Sequence, residues 1–135
     1  MSLDEWFAPR RSPDGVVEVR FEAIEMRMSH WVQEPIVVRT RDGREVLSLS
    51  GTLWDAAGPT AFPRPGVVEL TLRHYPDGAH EVVLVVDVET ETFGIGRDAA
   101  ADQPVARLRD ALPKALKQAR AAARGAGRGQ AGDHS

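Results

Sequence analysis

Cysteine is absent from this chain of 135 residues, aromatic residues make up only 6% of it, and no long apolar run occurs. Without cysteine the protein has no disulfides, no thiolate metal ligands and no thiol nucleophile. No stretch approaches the roughly 20 apolar residues that cross a bilayer. The first residues carry acids where a secretory signal needs bases. We therefore expect a cytoplasmic protein of bacterial type, without a membrane partner.

The net charge of −3 conceals two parts of opposite charge. Residues 1–102 have ten basic and 18 acidic side chains, whereas residues 103–135 have seven basic and two acidic. The basic side chains of the second part recur every three or four residues, at Lys114, Lys117, Arg120, Arg124 and Arg128. No aromatic residues alternate with them, and the acidic body would repel a phosphate backbone. We expect no nucleic-acid partner, and binding through the basic helix stays an alternative.

Alternating apolar and polar side chains predict six strands separated by turns. Their ranges are 16–28, 36–40, 45–54, 67–75, 80–89 and 93–96. Asp42-Gly43 and Asp77-Gly78 lie between strands and are typical of tight hairpins, because glycine accepts a positive φ. Short connections make neighbouring strands antiparallel. Within 16–28 the apolar positions change from odd to even, which predicts a β-bulge at Ala23.

The segment after Asp102 has the spacing of an amphipathic helix. Val105, Leu108, Leu112 and Leu116 form one apolar stripe, so we predict a helix over 103–124 with a kink or break near Asp110, caused by Pro113. The predicted fold class is α+β: a curved, six-stranded antiparallel β-meander with one C-terminal helix packed on a face.

Three regions divide the chain by composition. We predict an N-terminal segment over 1–15, a single domain over 16–124, and a disordered Gly/Arg tail over 125–135. The strand at 80–89 is apolar on both faces and is therefore expected to be central in the sheet. One helix covers one face, so Trp6-Phe7 or a second copy of the chain is needed for the other. We expect a homodimer.

Candidate binding residues gather at one end of the predicted meander, because strand direction sorts the connections between two ends. We call this end the aromatic rim, and it also includes the turn at 89–91. The long loop at 56–66, with three prolines, belongs to it. Its candidate binding residues are His30, Trp31, Glu34, Trp54, Asp55, Phe62 and Arg64. An alternative is that the aromatic residues only close the open end of the core.

Catalytic and metal sites are less favoured by the sequence. A small enzyme could use His30 with Asp55 or Glu34 as acid and base, but no Gly-x-Ser-x-Gly elbow accompanies Ser29. The spacing of His74, Asp77 and His80 matches no zinc motif. We expect no catalytic residues, no metal and no cofactor.

The function favoured by the sequence is non-catalytic protein binding, of an adaptor or immunity type. It would act through the aromatic and acidic rim on a protein partner that the sequence does not identify. This class of protein needs no catalytic constellation, and exposed aromatic residues are typical of protein interfaces.

Overall fold

Two antiparallel sheets and one C-terminal helix make up the fold, which confirms the predicted α+β class. The structure, a computed structural model, describes residues 8–26, 30–56, 58–76 and 79–133, with side chains up to residue 125. Sheet A has, in spatial order, β1 (Arg10–Arg11), β2 (Val17–Glu25), β3 (Trp31–Arg39) and β4 (Arg44–Ser48). Sheet B has β10 (Gln103–Pro104), β9 (Thr92–Ile95), β8 (Glu81–Asp87), β7 (Val67–His74) and β5 (Trp54–Asp55), and β6 (Thr60–Arg64) also pairs with β7.

The six predicted strands correspond to β2, β3, β4, β7, β8 and β9, and each sheet is a meander of three of them. The chain passes from sheet A to sheet B after β4. There the amide of Leu49 donates to the carbonyl of Pro35, and the amide of Ala56 donates to that of Gln33. The segment between these two amides therefore follows the free edge of β3, and β5 then joins sheet B beside β7.

The predicted bulge at Ala23 is wrong. The pairing of β2 with β3 runs without interruption from Val17 opposite Arg39 to Glu25 opposite Trp31. Beyond Val19 the strand is partly exposed on both faces, so its apolar side chains need not share one face. The irregular pairing lies instead between β3 and β4, at Val37 and Val38.

One hydrophobic core contains side chains from both sheets and from the helix. Sheet A contributes Val17, Val19, Val37 and Leu47, while sheet B contributes Leu70, Leu72, Leu84, Val86 and Phe93 among others. Each such side chain, fully buried, stabilises the fold by about 1.5–3 kcal/mol. Because the two sheets face each other across this core, the helix is not its only cover.

The outer face of β8 is also covered within the chain. Val85 is buried, and its cross-strand partner is Gly94 on β9. The loop after β9 folds back over this position, and the amide of Asp102 donates to the carbonyl of Phe93 at 3.2 Å. The carbonyl of Ala100 lies so close that a Cβ on Gly94 would be 2.1 Å from its oxygen. Trp6 and Phe7 lie outside the described residues, and a homodimer stays a prediction.

The helix begins later than predicted, because Gln103–Pro104 pair with β9 as β10 and Val105–Arg107 form a short 3-10 helix. We name it α1 (Leu108–Asp133), and Leu108, Leu112 and Leu116 bury its apolar stripe in the core, as predicted. α1 continues past Pro113 without a break and also past residue 124. The division of the chain into three regions, with a separate tail at 125–135, stays a prediction.

The predicted hairpin turn between β3 and β4 is confirmed, with Gly43 at a φ of 68°. The Asp77-Gly78 turn lies outside the described residues, although β7 and β8 pair antiparallel on either side of it.

Candidate functional site

The two described tryptophans of the aromatic rim have different surroundings. Trp54 is only 4% exposed and belongs to the core, with its ring 4.9 Å from that of His74. Trp31 begins β3 and keeps part of its surface exposed. Trp54 therefore helps to close the core at this end, as the alternative interpretation expected, whereas Trp31 is only partly buried.

Glu34 is fully buried on β3 and holds the turn that follows β4. Its two carboxylate oxygens accept the amide hydrogens of Gly51, at 2.8 Å, and of Leu53, at 2.7 Å. Gly51 has a φ of 81° and Leu53 a φ of 63°, a region that side-chain-bearing residues seldom adopt. Glu34 thus fixes a strained turn, and with no exposed surface it offers no oxygen to a ligand or substrate.

His30 and Asp55 come together in a groove at the end of sheet B. We call it the Asp55 groove, and it consists of two adjoining clefts that share Asp55 and Arg73. The first cleft, of about 240 Å³, is lined by Asp55, Gly58, Pro59, Thr71, Arg73 and Glu81. The second, of about 130 Å³, is lined by His30, Asp55, Arg73, His74, Tyr75 and Pro76.

The pairing of β5 with β7 positions the charged side chains of the Asp55 groove. Asp55 lies directly opposite Arg73, and its carboxylate accepts the amide hydrogen of Gln33 at 3.0 Å. Arg73 forms an exposed ion pair with Glu81 on β8. At the groove's other end the rings of His30 and Tyr75 lie 5.0 Å apart. The groove therefore presents one cation between two acids, beside a pair of aromatic rings.

Phe62 and Arg64 do not join this groove. Both are on β6, whose Arg64 pairs with Val67 at the start of β7, whereas Asp55 pairs with Arg73 near its end. Six residues of strand separate these positions, which is about 20 Å. Phe62 and Arg64 instead line a shallow cleft of about 210 Å³ with Ser12, Pro13, Asp14 and Pro65. The residues predicted for one rim thus occupy two separate surfaces.

The turn at 89–91 is not at the aromatic rim, where we expected it. It lies against the β3–β4 hairpin and forms a cluster of ion pairs between the two sheets. This inter-sheet ion cluster consists of Arg39, Arg41, Asp42, Arg44, Glu89 and Glu91. Arg39 is at its centre, since it bonds both oxygens of Asp42 and donates to the carbonyl of Val88 at 3.0 Å. The basic residues at 39–44 and the acidic ones at 87–91 were the sequence signal for it.

The inter-sheet ion cluster predicts a loss of stability in acid. Hydrogen bonds from Arg39 lower the pKa of Asp42 from 3.8 to about 2. Between these values the unfolded chain binds more protons than the folded one, so the contribution of Asp42 is present above pH 3.8 and is lost as the pH falls towards 2. We expect Asp42→Asn to lower the urea midpoint at pH 5 and to have a much smaller effect at pH 2.5. The exposed Asp102→Asn is the control, and an equal effect of Asp42→Asn at both pH values would contradict this assignment.

His74, one of the two histidines considered for a metal site, has other contacts. Nε2 of His74 lies 3.2 Å from the carbonyl oxygen of Thr52, which can only accept, so this nitrogen carries the proton in that contact. Asp77 lies outside the described residues. Within the described ranges no group of three His, Asp or Glu side chains could hold a metal ion. No helix within those ranges is long and apolar enough to span a membrane.

No family model, no curated protein and no solved structure matches this chain.

Proposed function

We propose that this protein is a non-catalytic, protein-binding domain and that the Asp55 groove is its contact surface. One observation supports this: exposed aromatic, proline and charged side chains from separate strands lie together at one end of sheet B. Tyrosine and arginine are enriched among the residues that dominate binding energy at protein interfaces. Here Arg73 is exposed, and Tyr75 is partly exposed beside His30.

The shape of the Asp55 groove suits a polypeptide better than a small metabolite. Its two clefts, of about 240 and 130 Å³, are each smaller than the roughly 300–1,000 Å³ of sites for drug-sized ligands. Arg73 offers donors to carbonyl or carboxylate groups, while Asp55 and Glu81 offer acceptors to basic side chains. The net charge of −8 over residues 1–102 favours a partner with a basic surface, by electrostatic complementarity. An adaptor or immunity-type role is compatible with such a contact.

The enzymatic alternative has less support. Glu34 uses both oxygens to hold a turn, and Asp55 already accepts an amide hydrogen from Gln33. His30 lies against Tyr75 at an exposed edge. None of these arrangements pairs a base with a nucleophile at hydrogen-bond distance, the geometry by which covalent catalysis is recognised.

Arg73→Ala is expected to remove binding of a protein partner without unfolding the domain. Arg73 is exposed and its ion pair with Glu81 is a surface pair, which contributes about 0–1 kcal/mol to stability. We would immobilise the wild type, Arg73→Ala, His30→Ala and Lys117→Ala, and compare the captured proteins by mass spectrometry. Lys117 is an exposed cation on α1, so Lys117→Ala removes the same charge as Arg73→Ala at a position away from the groove.

The proposal is supported by a partner that the wild type and Lys117→Ala retain and that both groove variants bind at least about tenfold more weakly. Circular dichroism melting curves confirm that all four proteins are folded. A partner that all variants hold equally would place the interface elsewhere, and the absence of any stoichiometric partner would contradict protein binding as the function.

A further inference from the structure

A second cleft lies behind His74, between α1 and the turn that follows β4. Its volume is about 210 Å³, and its apolar lining consists of Leu49, Trp54, Leu112 and Pro113. Leu49, Trp54 and Leu112 also belong to the hydrophobic core, so the apolar lining of the cleft is continuous with the packed interior. We call it the Trp54 cleft. His74 lines both this cleft and the Asp55 groove.

Pro113 removes one backbone donor of α1 beside the Trp54 cleft. Pro113 has no amide hydrogen, so the carbonyl of Arg109, four residues earlier, lacks its usual donor within α1. Residues 109 and 113 both line the cleft. A carboxylate has no hydrogen to donate to this carbonyl, so water is left to satisfy it and a carboxylate ligand depends on the Arg109 guanidinium instead.

The polar side chains of the Trp54 cleft carry a positive charge and no negative one. Arg109 donates to the carbonyl of Ser48 at 3.3 Å, and no carboxylate of the described residues lies within ion-pair distance of it. His74 uses Nε2 towards Thr52, and its Nδ1 bonds to none of the described residues. The charged group that this cleft would recognise is therefore an anion.

We propose that the Trp54 cleft binds a small monocarboxylate whose apolar part is a single ring or a short branched chain. The ring would lie against Trp54 and Leu112, with its carboxylate towards Arg109. A volume of about 210 Å³ is below the range of drug-sized sites, which sets the limit of about one ring. This site is independent of the proposed protein-binding function, since the Asp55 groove has a different lining apart from His74.

The test uses benzoate as the probe and its neutral isostere benzamide as the comparison. A full-length chain with Trp6→Phe and Trp31→Phe leaves Trp54 as the sole tryptophan, so its fluorescence reports occupancy directly. We expect saturable quenching by benzoate with a millimolar-range dissociation constant, and at least about tenfold weaker binding of benzamide. Chemical shifts of the His74 ring should move with the same saturation curve.

Variants of Arg109 and Arg107 distinguish a specific benzoate site from unspecific attraction of benzoate to positive charge. Arg109→Gln should weaken benzoate binding by about tenfold or more, whereas Arg109→Lys keeps the charge and should retain most of it. Arg107→Gln removes an equal charge from an exposed position outside the cleft and should have no effect. Equal binding of benzamide, equal effects of the two glutamine variants, or no change at Trp54 and His74 would each overturn the proposal.

Discussion

Replacing Glu34 with alanine is expected to lower the free energy of unfolding by about 2–4 kcal/mol, because two amide donors lose their acceptor and a buried side chain leaves a cavity. The amides are those of Gly51 and Leu53, which the carboxylate holds at 2.8 and 2.7 Å. Leu53 has a φ of 63° and depends on this support. Urea unfolding measured by circular dichroism gives the difference.

Two further variants make the Glu34 prediction specific. Glu34→Gln keeps one acceptor but turns an NH₂ donor towards the second amide, so it should recover less than half of the loss. Glu22 lies directly opposite Glu34 on β2 but is exposed, and its carboxylate accepts the hydroxyl of Ser50. We expect Glu22→Ala to change stability by no more than about 1 kcal/mol. Equal losses in Glu22→Ala and Glu34→Ala would show that buried hydrogen bonding to the turn is not the cause.

The sequence predicted the six strands of the two meanders, because their formation is governed by local alternation and by turn residues, but it missed β1, β6 and β10. Gly43, at a φ of 68°, shows why the Asp-Gly signal was reliable. Division of the strands between two sheets was not predictable, since it depends on the crossing of the chain after β4. That crossing rests on contacts such as Ala56 with Gln33, which are far apart in sequence. Pro35, which has no amide hydrogen, also concealed the first half of β3.

The candidate site was predictable only in part, for the same reason. His30 and Asp55 do line one groove, but nothing local indicated that Arg73 and Tyr75 would complete it. Their position follows from the pairing of β5 with β7, a long-range contact. Glu34 illustrates the opposite case, because it was predicted as a binding residue of the aromatic rim although it is buried. Its structural role is visible only from the two backbone amides that donate to its carboxylate.

His74 connects the two proposed binding regions of the molecule. Its ring lies against Trp54 on the inner side, and it lines the second cleft of the Asp55 groove on the outer side. A molecule bound in the Trp54 cleft would therefore contact a side chain that also lines the proposed protein-binding groove. A ligand that changes the position of the His74 ring would alter the groove. Binding of the captured partner with and without benzoate would measure that coupling.

Replacing Gly94 with alanine is expected to destabilise the fold by about 2–3 kcal/mol, because the added methyl group meets backbone rather than a flexible side chain. The new Cβ would lie 2.1 Å from the carbonyl oxygen of Ala100, so the loop after β9 has to move away from sheet B. We expect faster hydrogen exchange at the amides of Asp102 and Gly96, which bond the carbonyls of Phe93 and Val83. Gly125→Ala is the control, since a Cβ there meets no atom within 4 Å, and in a helix it should be neutral or stabilising. If Gly94→Ala unfolds at the same urea concentration as the wild type, the loop does not pack on β9 as described, and the outer face of β8 needs another cover, for which a second copy of the chain is then the first candidate.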